Sequence, residues 1–325
     1  MTYSIVFFTA GFVACLILVI IFTAIRRVKT ARKVGKPAPG PAVDAILLDP
    51  LDSQNINPFV PQAFLDILKK DSVNQLRLGD HVRQEMTIFF SDIRQFTSLM
   101  ENLTPEESFK FINSYLARIV PVITANGGFV DKYIGDAILA LYPQHNSADM
   151  AVRSAIEIQK TLVEYNQHRA NFNYRPLSIG VGIHTGTLMM GVVGVEDRMQ
   201  NTVISDAVNQ ASRLEGMCKA YNVSIVISEE IFKKLENPGS YMYRFLGKAR
   251  VKGKAEPVSV FEIFDGINPD LLERKKKANR YWEEGMLSFS KKEYFAALKE
   301  FQRVKEILPD DGATYYYYDY CMKKL

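Results

Sequence analysis

An α+β fold built around one sheet is what the order of segments in this chain predicts, and three observations carry the prediction. Short apolar runs recur: MTIFFS at 86–91, AILALY at 137–142, LSIGVGIH at 177–184 and VSIVIS at 223–228. Their β-branched and aromatic content is that of buried strands. Longer segments of helical period, with start and stop signals, lie between them. The resulting order, β-α-α-β-β-α-β with more strands after it, departs from the strict alternation of a parallel α/β fold. It predicts a sheet covered by helices on one side.

Taken in order, residues 58–84 hold a short amphipathic helix and a turn at Leu78-Gly79-Asp80. Thr104-Pro105-Glu106-Glu107 is a helix start, with Thr as N-cap, Pro at the first helical position and Glu placed for a capping box. That helix runs to about Ala125 and stops at Asn126-Gly127-Gly128. FVDKYI, the turn Gly135-Asp136 and AILALY form a hairpin. A helix spans about 147–168. LSIGVGIH and LMMGVVG (188–194) are expected as a strand pair with Gly186 in the turn. Thr202-Val203-Ile204 ends a short strand, and Ser205 or Asp206 caps a helix reaching about Tyr221. VSIVIS, a short helix at 229–235, YRFLG and VSVFEIF complete the domain near residue 265.

The chain has 325 residues, 47% hydrophobic and 23% charged, which excludes disorder and collagen-like repeats. Residues 3–25 carry no charge. As a helix they would be roughly 34 Å long, enough for a bilayer core of about 30 Å. A cleaved signal peptide fits less well, because the charged leading region and a small-x-small cleavage site are missing. Six basic residues (Arg26, Arg27, Lys29, Arg32, Lys33, Lys36) follow with no acidic one. They predict a single-pass span in the cell membrane with the rest of the chain cytoplasmic. GKPAPGPA (35–42) is an extended linker. Beyond residue 36 acids outnumber bases by two, so no nucleic-acid partner is expected. At the other end, Gly285, Tyr294, Ala297, Phe301 and Pro309 have spacings resembling a tetratricopeptide repeat. A lone repeat must bury its face on the body, on a second copy or on a protein partner. The tyrosine-rich run 315–320 belongs to a closing helix.

Several chemistries are excluded at once. There is no GxxxxGK[ST] and no GxSxG, GVGIHTG has the wrong spacing for GxGxxG, and three scattered cysteines make no metal cluster. Asp92 ends an apolar strand and Asp136 sits in a hairpin turn. Brought together they would repel, and a divalent cation would relieve the repulsion; two unrelated turn aspartates would look the same in sequence. Lys132 lies in an otherwise apolar and aromatic strand, where snorkelling to solvent is the usual explanation. In DAVNQASRLEGM, Ala207, Ala211 and Leu214 form an apolar stripe, while Asn209 and Arg213 project from nearly the opposite face. That face is either solvated surface or one that reaches a ligand.

FFSDIRQFTSL, GGFVDKYIGDAILALY, IGVGIHTGTLMMGVVG, NTVISDAVNQASRLE and RVKGKAEPVSVFEI, in that order, resemble the class III nucleotidyl cyclases, the adenylyl and guanylyl cyclases. The resemblance covers about 58–265. It implies a ferredoxin-like (βααββαβ) catalytic domain at 85–265, preceded by a membrane anchor (1–25), a basic juxtamembrane segment and linker (26–57) and a pre-cyclase segment (58–84). A helical tail (266–325) follows. By this resemblance Asp92 and Asp136, with the Ile93 carbonyl, hold two divalent metal ions, Mg²⁺ or Mn²⁺. Arg213 stabilises the transition state and Asn209 positions the ribose. Lys252, with Phe96 and Thr97, binds the triphosphate, and Lys132 and Thr202 read the base. Lys132 can only donate, which suits adenine N1, and Thr202 can accept from N6. ATP is therefore the expected substrate and cyclic AMP the product. Guanylyl cyclase activity, or a catalytically weak nucleotide-sensing scaffold, is the alternative. The family pattern also implies a head-to-tail homodimer with shared sites. Gln95 and Ser205 stand where glycine is common, and Gln210 where an apolar residue is usual.

Overall fold

The computed structural model describes residues 59–101, 103–249 and 257–325. The expected membrane span, the basic run and linker, and Lys252 lie outside the described residues. Among the described residues, no helix is long and apolar enough to cross a membrane.

Among the described residues eight strands form one sheet: β1 (His81–Ile93), β2 (Phe129–Ile134), β3 (Ala137–Tyr142), β4 (Ile179–Val195), β5 (Arg198–Ile204), β6 (Ile225–Ser228), β7 (Tyr243–Ala249) and β8 (Val258–Ile263). Their order is β2-β3-β1-β4-β6-β8-β7, with β5 paired to the far end of β4. Among the described residues only the β4–β6 pair is parallel; the other pairs are antiparallel. Between β1 and β4 the helices and strands follow the expected α-α-β-β-α order.

Two expectations need correction. LSIGVGIH and LMMGVVG are not a strand pair. They are one 17-residue strand, β4, and Gly186 pairs with Met86 inside it. Its glycine makes room: a Cβ there would meet the Ala207 side chain at 2.8 Å. The helices also cover both faces, not one. On one face α3 (Pro105–Ala125), α4 (Ser147–Ala170) and the short α6 (Glu229–Lys234) bury Ile119, Ile123, Ala151, Ala155 and Ile231 against Phe89, Ile138 and Ile183. On the other, α1 (Gln62–Ile67) and α5 (Asp206–Tyr221) set Phe64, Ala207 and Ala211 against Met86, Ile88, Leu139 and Leu188. Strands buried on both sides lack polar alternation, and all six residues of β3 and all four of β6 are buried.

The C-terminal helices α7 (Pro269–Ser290), α8 (Tyr294–Ile307) and α9 (Gly312–Met322) do not stand apart. Gly285 admits the Phe301 ring, so α7 and α8 lie close. Trp282, Phe301 and Tyr317 pack in one cluster with Val226, Leu246 and Val260 of the sheet and Leu214 and Cys218 of α5. Of the three surfaces that could cover the tail's apolar face, the sheet and α5 do so. Trp282 Nε1 donates to the Phe245 carbonyl at 2.9 Å and Tyr317 Oη to that of Leu246 at 2.6 Å.

A buried charge network crosses the same junction. The Arg244 guanidinium donates to Glu262 (2.5 Å) and, through both terminal nitrogens, to Asp311 (3.0 and 2.5 Å). Lys275 Nζ reaches Glu262 at 2.6 Å. All four side chains are buried, and two cations balance two anions. Removing one partner of such a set costs about 3–5 kcal/mol, because the others stay buried without their counter-charge. Arg244→Ala should therefore lower the unfolding free energy by about that amount, measured by urea denaturation. Burial alone would raise the Asp311 carboxyl; Arg244 and Lys275 override it and hold it well below its ordinary value of 3.8. A depressed carboxylate stabilises the fold above its unfolded pKa, and that contribution is lost as pH falls through the lower folded value. Asp311→Asn should show a smaller loss of stability between about pH 4 and pH 2 than the parent chain.

Candidate active site

Register brings the two aspartates together. Ser91 of β1 lies opposite Ile138 of β3, so Asp92 and the turn residue Asp136 meet at the same end of neighbouring strands. Gly135, at φ +66°, allows the tight β2–β3 turn that presents Asp136. One Asp136 oxygen accepts the Ile93 N–H at 3.1 Å. Burial and then the hydrogen-bonding and charge of Asp92 push the Asp136 carboxyl up to about 7. Two half-buried acids and the adjoining Ile93 carbonyl form a set of hard oxygen donors with an unmet demand for positive charge. That set fits Mg²⁺ or Mn²⁺, which take one or two carboxylates together with substrate phosphates.

Next to the pair, Gln95 holds the left-handed backbone conformation (φ +55°) and caps the single-turn helix α2 (Phe96–Met100). This conformation explains why glycine is common at the position. Phe96 is half-buried and Thr97 exposed at the start of that turn. Sequence reasoning missed two neighbours of Asp92, namely Arg94 and Glu215. Glu215 is raised by burial and by Asp92, and Arg94 opposes the rise. Arg94 also donates to the Val223 carbonyl at 3.0 Å. Glu215 lies far along the chain from Asp92 and Arg94, so no local pattern joined the three.

The second group is on α5 and β5. Ser205 caps α5, accepting from the Ala207 N–H (3.0 Å) and donating to the Thr187 carbonyl (2.7 Å), so it does the work of a cap in extended backbone. Ala207, Ala211 and Leu214 are buried, as is Gln210, whose amide donates to Asp206 at 2.8 Å. Asn209 and Arg213 are exposed on the outer face, as their spacing predicts. Lys132 does not run free into solvent. Its ammonium donates to Thr202 Oγ1 at 2.9 Å, joining β2 to β5.

Residues 80–263, more than half of the chain, match the family described as the adenylate and guanylate cyclase catalytic domain. The chain belongs to this cyclase family. It is 41% identical over 210 residues to the adenylate cyclase of Anabaena cylindrica, covering 63% of this chain and 42% of that protein. It is 36% identical over 274 residues to the terminal-differentiation specific adenylate cyclase of Dictyostelium discoideum, covering 83% and 13%. The chain thus spans less than half the length of either relative. Among solved structures it resembles the adenylyl cyclase CyaB from P. aeruginosa, with a TM-score of 0.51, 34% identity, and coverage of 57% of this chain and 96% of that one.

Within the cyclase domain the placement of α5 depends on a close approach. A Cβ on Gly182 of β4 would overlap the Ala211 carbonyl and the Glu215 backbone nitrogen. Gly182→Ala should cost about 1–3 kcal/mol by forcing α5 off the sheet. Gly216, on the same helix, has nothing near its Cβ position. Gly216→Ala should add about 0.5–1 kcal/mol. Chemical denaturation of the two variants beside the parent checks both signs.

Proposed function

We propose that this chain is an adenylyl cyclase that converts ATP to 3′,5′-cyclic AMP and pyrophosphate at sites shared by two copies, anchored to a membrane by its uncharged N-terminal segment. The observation that carries the choice of ATP is the 2.9 Å bond from Lys132 to Thr202. It sets a pure donor beside a hydroxyl that still has acceptor capacity, which complements adenine N1 and N6. Guanine would bring its N1–H donor against the ammonium, an unpaired clash that rejects the wrong base strongly.

The chemistry then follows from the groups in the chain. Asp92, Asp136 and the Ile93 carbonyl hold two divalent ions; when bound, these acidify the ribose 3′-hydroxyl and neutralise the triphosphate. Asn209 orients the ribose so that its 3′-oxygen lies in line with the α-phosphorus. The 3′-oxygen gives its proton to solvent water and bonds to the α-phosphorus as the bond to the leaving pyrophosphate breaks. Arg213 meets the charge growing on the phosphoryl oxygens with planar donors. Lys252 and the chain at Phe96 and Thr97 bind the triphosphate.

A second copy is supported by the exposed apolar residues around the base-reading pair. Tyr133 and Ile134 follow Lys132, and Met199 and Ile204 flank Thr202, all of them exposed. Such a patch is characteristic of an interface. In this arrangement the acids of one copy face Asn209, Arg213, Lys132 and Thr202 of the other. Arg213→Ala and Asp92→Ala should each lower turnover about 10²-fold or more. Mixing the two variants should restore activity, since each heterodimer forms one intact site. Without recovery in a mixture shown to exchange subunits, the shared site is wrong. Turnover of GTP at least as fast as ATP would overturn the choice of base.

A further inference from the structure

Asp131 precedes Lys132 and is absent from the roles assigned above. In a regular strand, neighbouring side chains point to opposite faces, so these two should not meet. Here they do. Val130 of β2 pairs with Ala140 and Lys132 with Leu139, which leaves Asp131 as the extra residue of a β-bulge. A bulge breaks the alternation and re-aims side chains. The Asp131 carboxylate and the Lys132 ammonium come within 3.4 Å, with the Asp131 side chain fully buried. No hydrogen bond within normal geometry reaches either of its oxygens. Burial pushes its carboxyl above the ordinary value, and the Lys132 charge pulls it back.

A buried acid with no hydrogen-bond donor is costly, and regular pairing would have turned it away from the lysine. The ammonium has three protons and no lone pair. One points toward Asp131 and one goes to Thr202 at 2.9 Å, while the third faces the Asn201 carbonyl at 3.5 Å, a contact long enough for an incoming acceptor to replace. These contacts restrict where that proton can point. Asp131 and Lys132 line a cavity of about 850 Å³ with Asn201, Met199 and Val192, within the size range of small-molecule sites.

We propose that Asp131 is a positioning residue for base selection: the bulge in β2 turns it onto Lys132, where it fixes the lysine ammonium so that a single proton faces the purine N1. The inference rests on Lys132 reading the base and adds the residue that aims it. Asp131 touches no substrate. It acts through Lys132 on discrimination and on ATP affinity, and it leaves the phosphoryl chemistry to Asn209 and Arg213.

The test uses the full chain and four proteins: the parent, Asp131→Asn, Lys132→Met and the double variant. Each is assayed for kcat and KM with ATP and with GTP, with thermal unfolding in parallel. Asp131→Asn keeps the shape and removes the charge. It should raise KM for ATP roughly tenfold with kcat little changed, and it should shrink the ATP-over-GTP ratio of kcat/KM by a similar factor. In the Lys132→Met background the same substitution should change neither quantity. Equal losses for ATP and GTP, tracking a lowered unfolding temperature, would reduce Asp131 to a structural role and overturn the proposal. So would an Asp131→Asn effect that persists in full without Lys132. If Lys132→Met itself leaves discrimination intact, the base-reading assignment fails instead, and the two failures are told apart by that single variant.

Discussion

The antiparallel pairing of β1 with β3 is the constraint from which the candidate site follows. It sets Ser91 against Ile138, and so places an acid just past each strand at the same edge. Neither aspartate selects the other directly, because like charges repel. The pairing is imposed by the rest of the ladder, where Phe89, Ile138, Ala140 and Ile88 are fully buried. A slip of one residue would turn each of these side chains to the opposite face. The apolar sheet thus pays for an electrostatically unfavourable pair, and burial, together with the hydrogen-bonding and charge of Asp92, raises the Asp136 carboxyl. Local strain of this kind is tolerated where the surroundings over-determine it. A divalent cation is the natural relief for such a pair.

The same logic explains why so little of the chain around the acids is ordinary loop. Gln95 carries a left-handed backbone conformation that glycine would adopt more easily. Gly182 and Gly186 remove side chains where α5 meets β4. The bulge at Asp131 breaks strand alternation beside Lys132. Each of these lies near a residue with a proposed role, and regular, well-packed structure surrounds all of them.

Much of this was legible because it is local. The capping box at Thr104 and Glu107, the hairpin at Gly135-Asp136 and the outward aim of Asn209 and Arg213 depend on residues within a few positions, and each falls where its pattern placed it. The errors share a different origin. Gly186 looked like a turn because a glycine between apolar runs usually is one; its actual reason is Ala207, twenty-one positions later. Coverage of both sheet faces required knowing where α1, α5 and the tail pack. The Arg244, Glu262, Lys275 and Asp311 network joins residues up to 67 apart, and no periodicity announces it. Asp131 is the instructive case. Its identity was plain in the sequence, but its partner depends on a register shift that only the β2–β3 ladder reveals.

The tail gains meaning from where it binds. α5 presents Asn209 and Arg213 on its outer face, and its inner stripe lies on β4. Its C-terminal end is held from another direction. Tyr221 packs edge-on against Tyr316, and Asn222 Nδ2 donates to the Asp310 carbonyl at 2.9 Å. Gly312 lies so close to the backbone of Tyr221 that a side chain there would collide with it. Leu214 and Cys218, one turn or so from Arg213, share their cluster with Trp282, Phe301 and Tyr317. A helix seated on a sheet along one stripe retains freedom to rock about that stripe; a second, non-collinear contact removes it. The tail supplies that second contact, and the buried charge network fixes the tail in turn. The position of Arg213 on α5 is therefore set by residues as far along the chain as Tyr317.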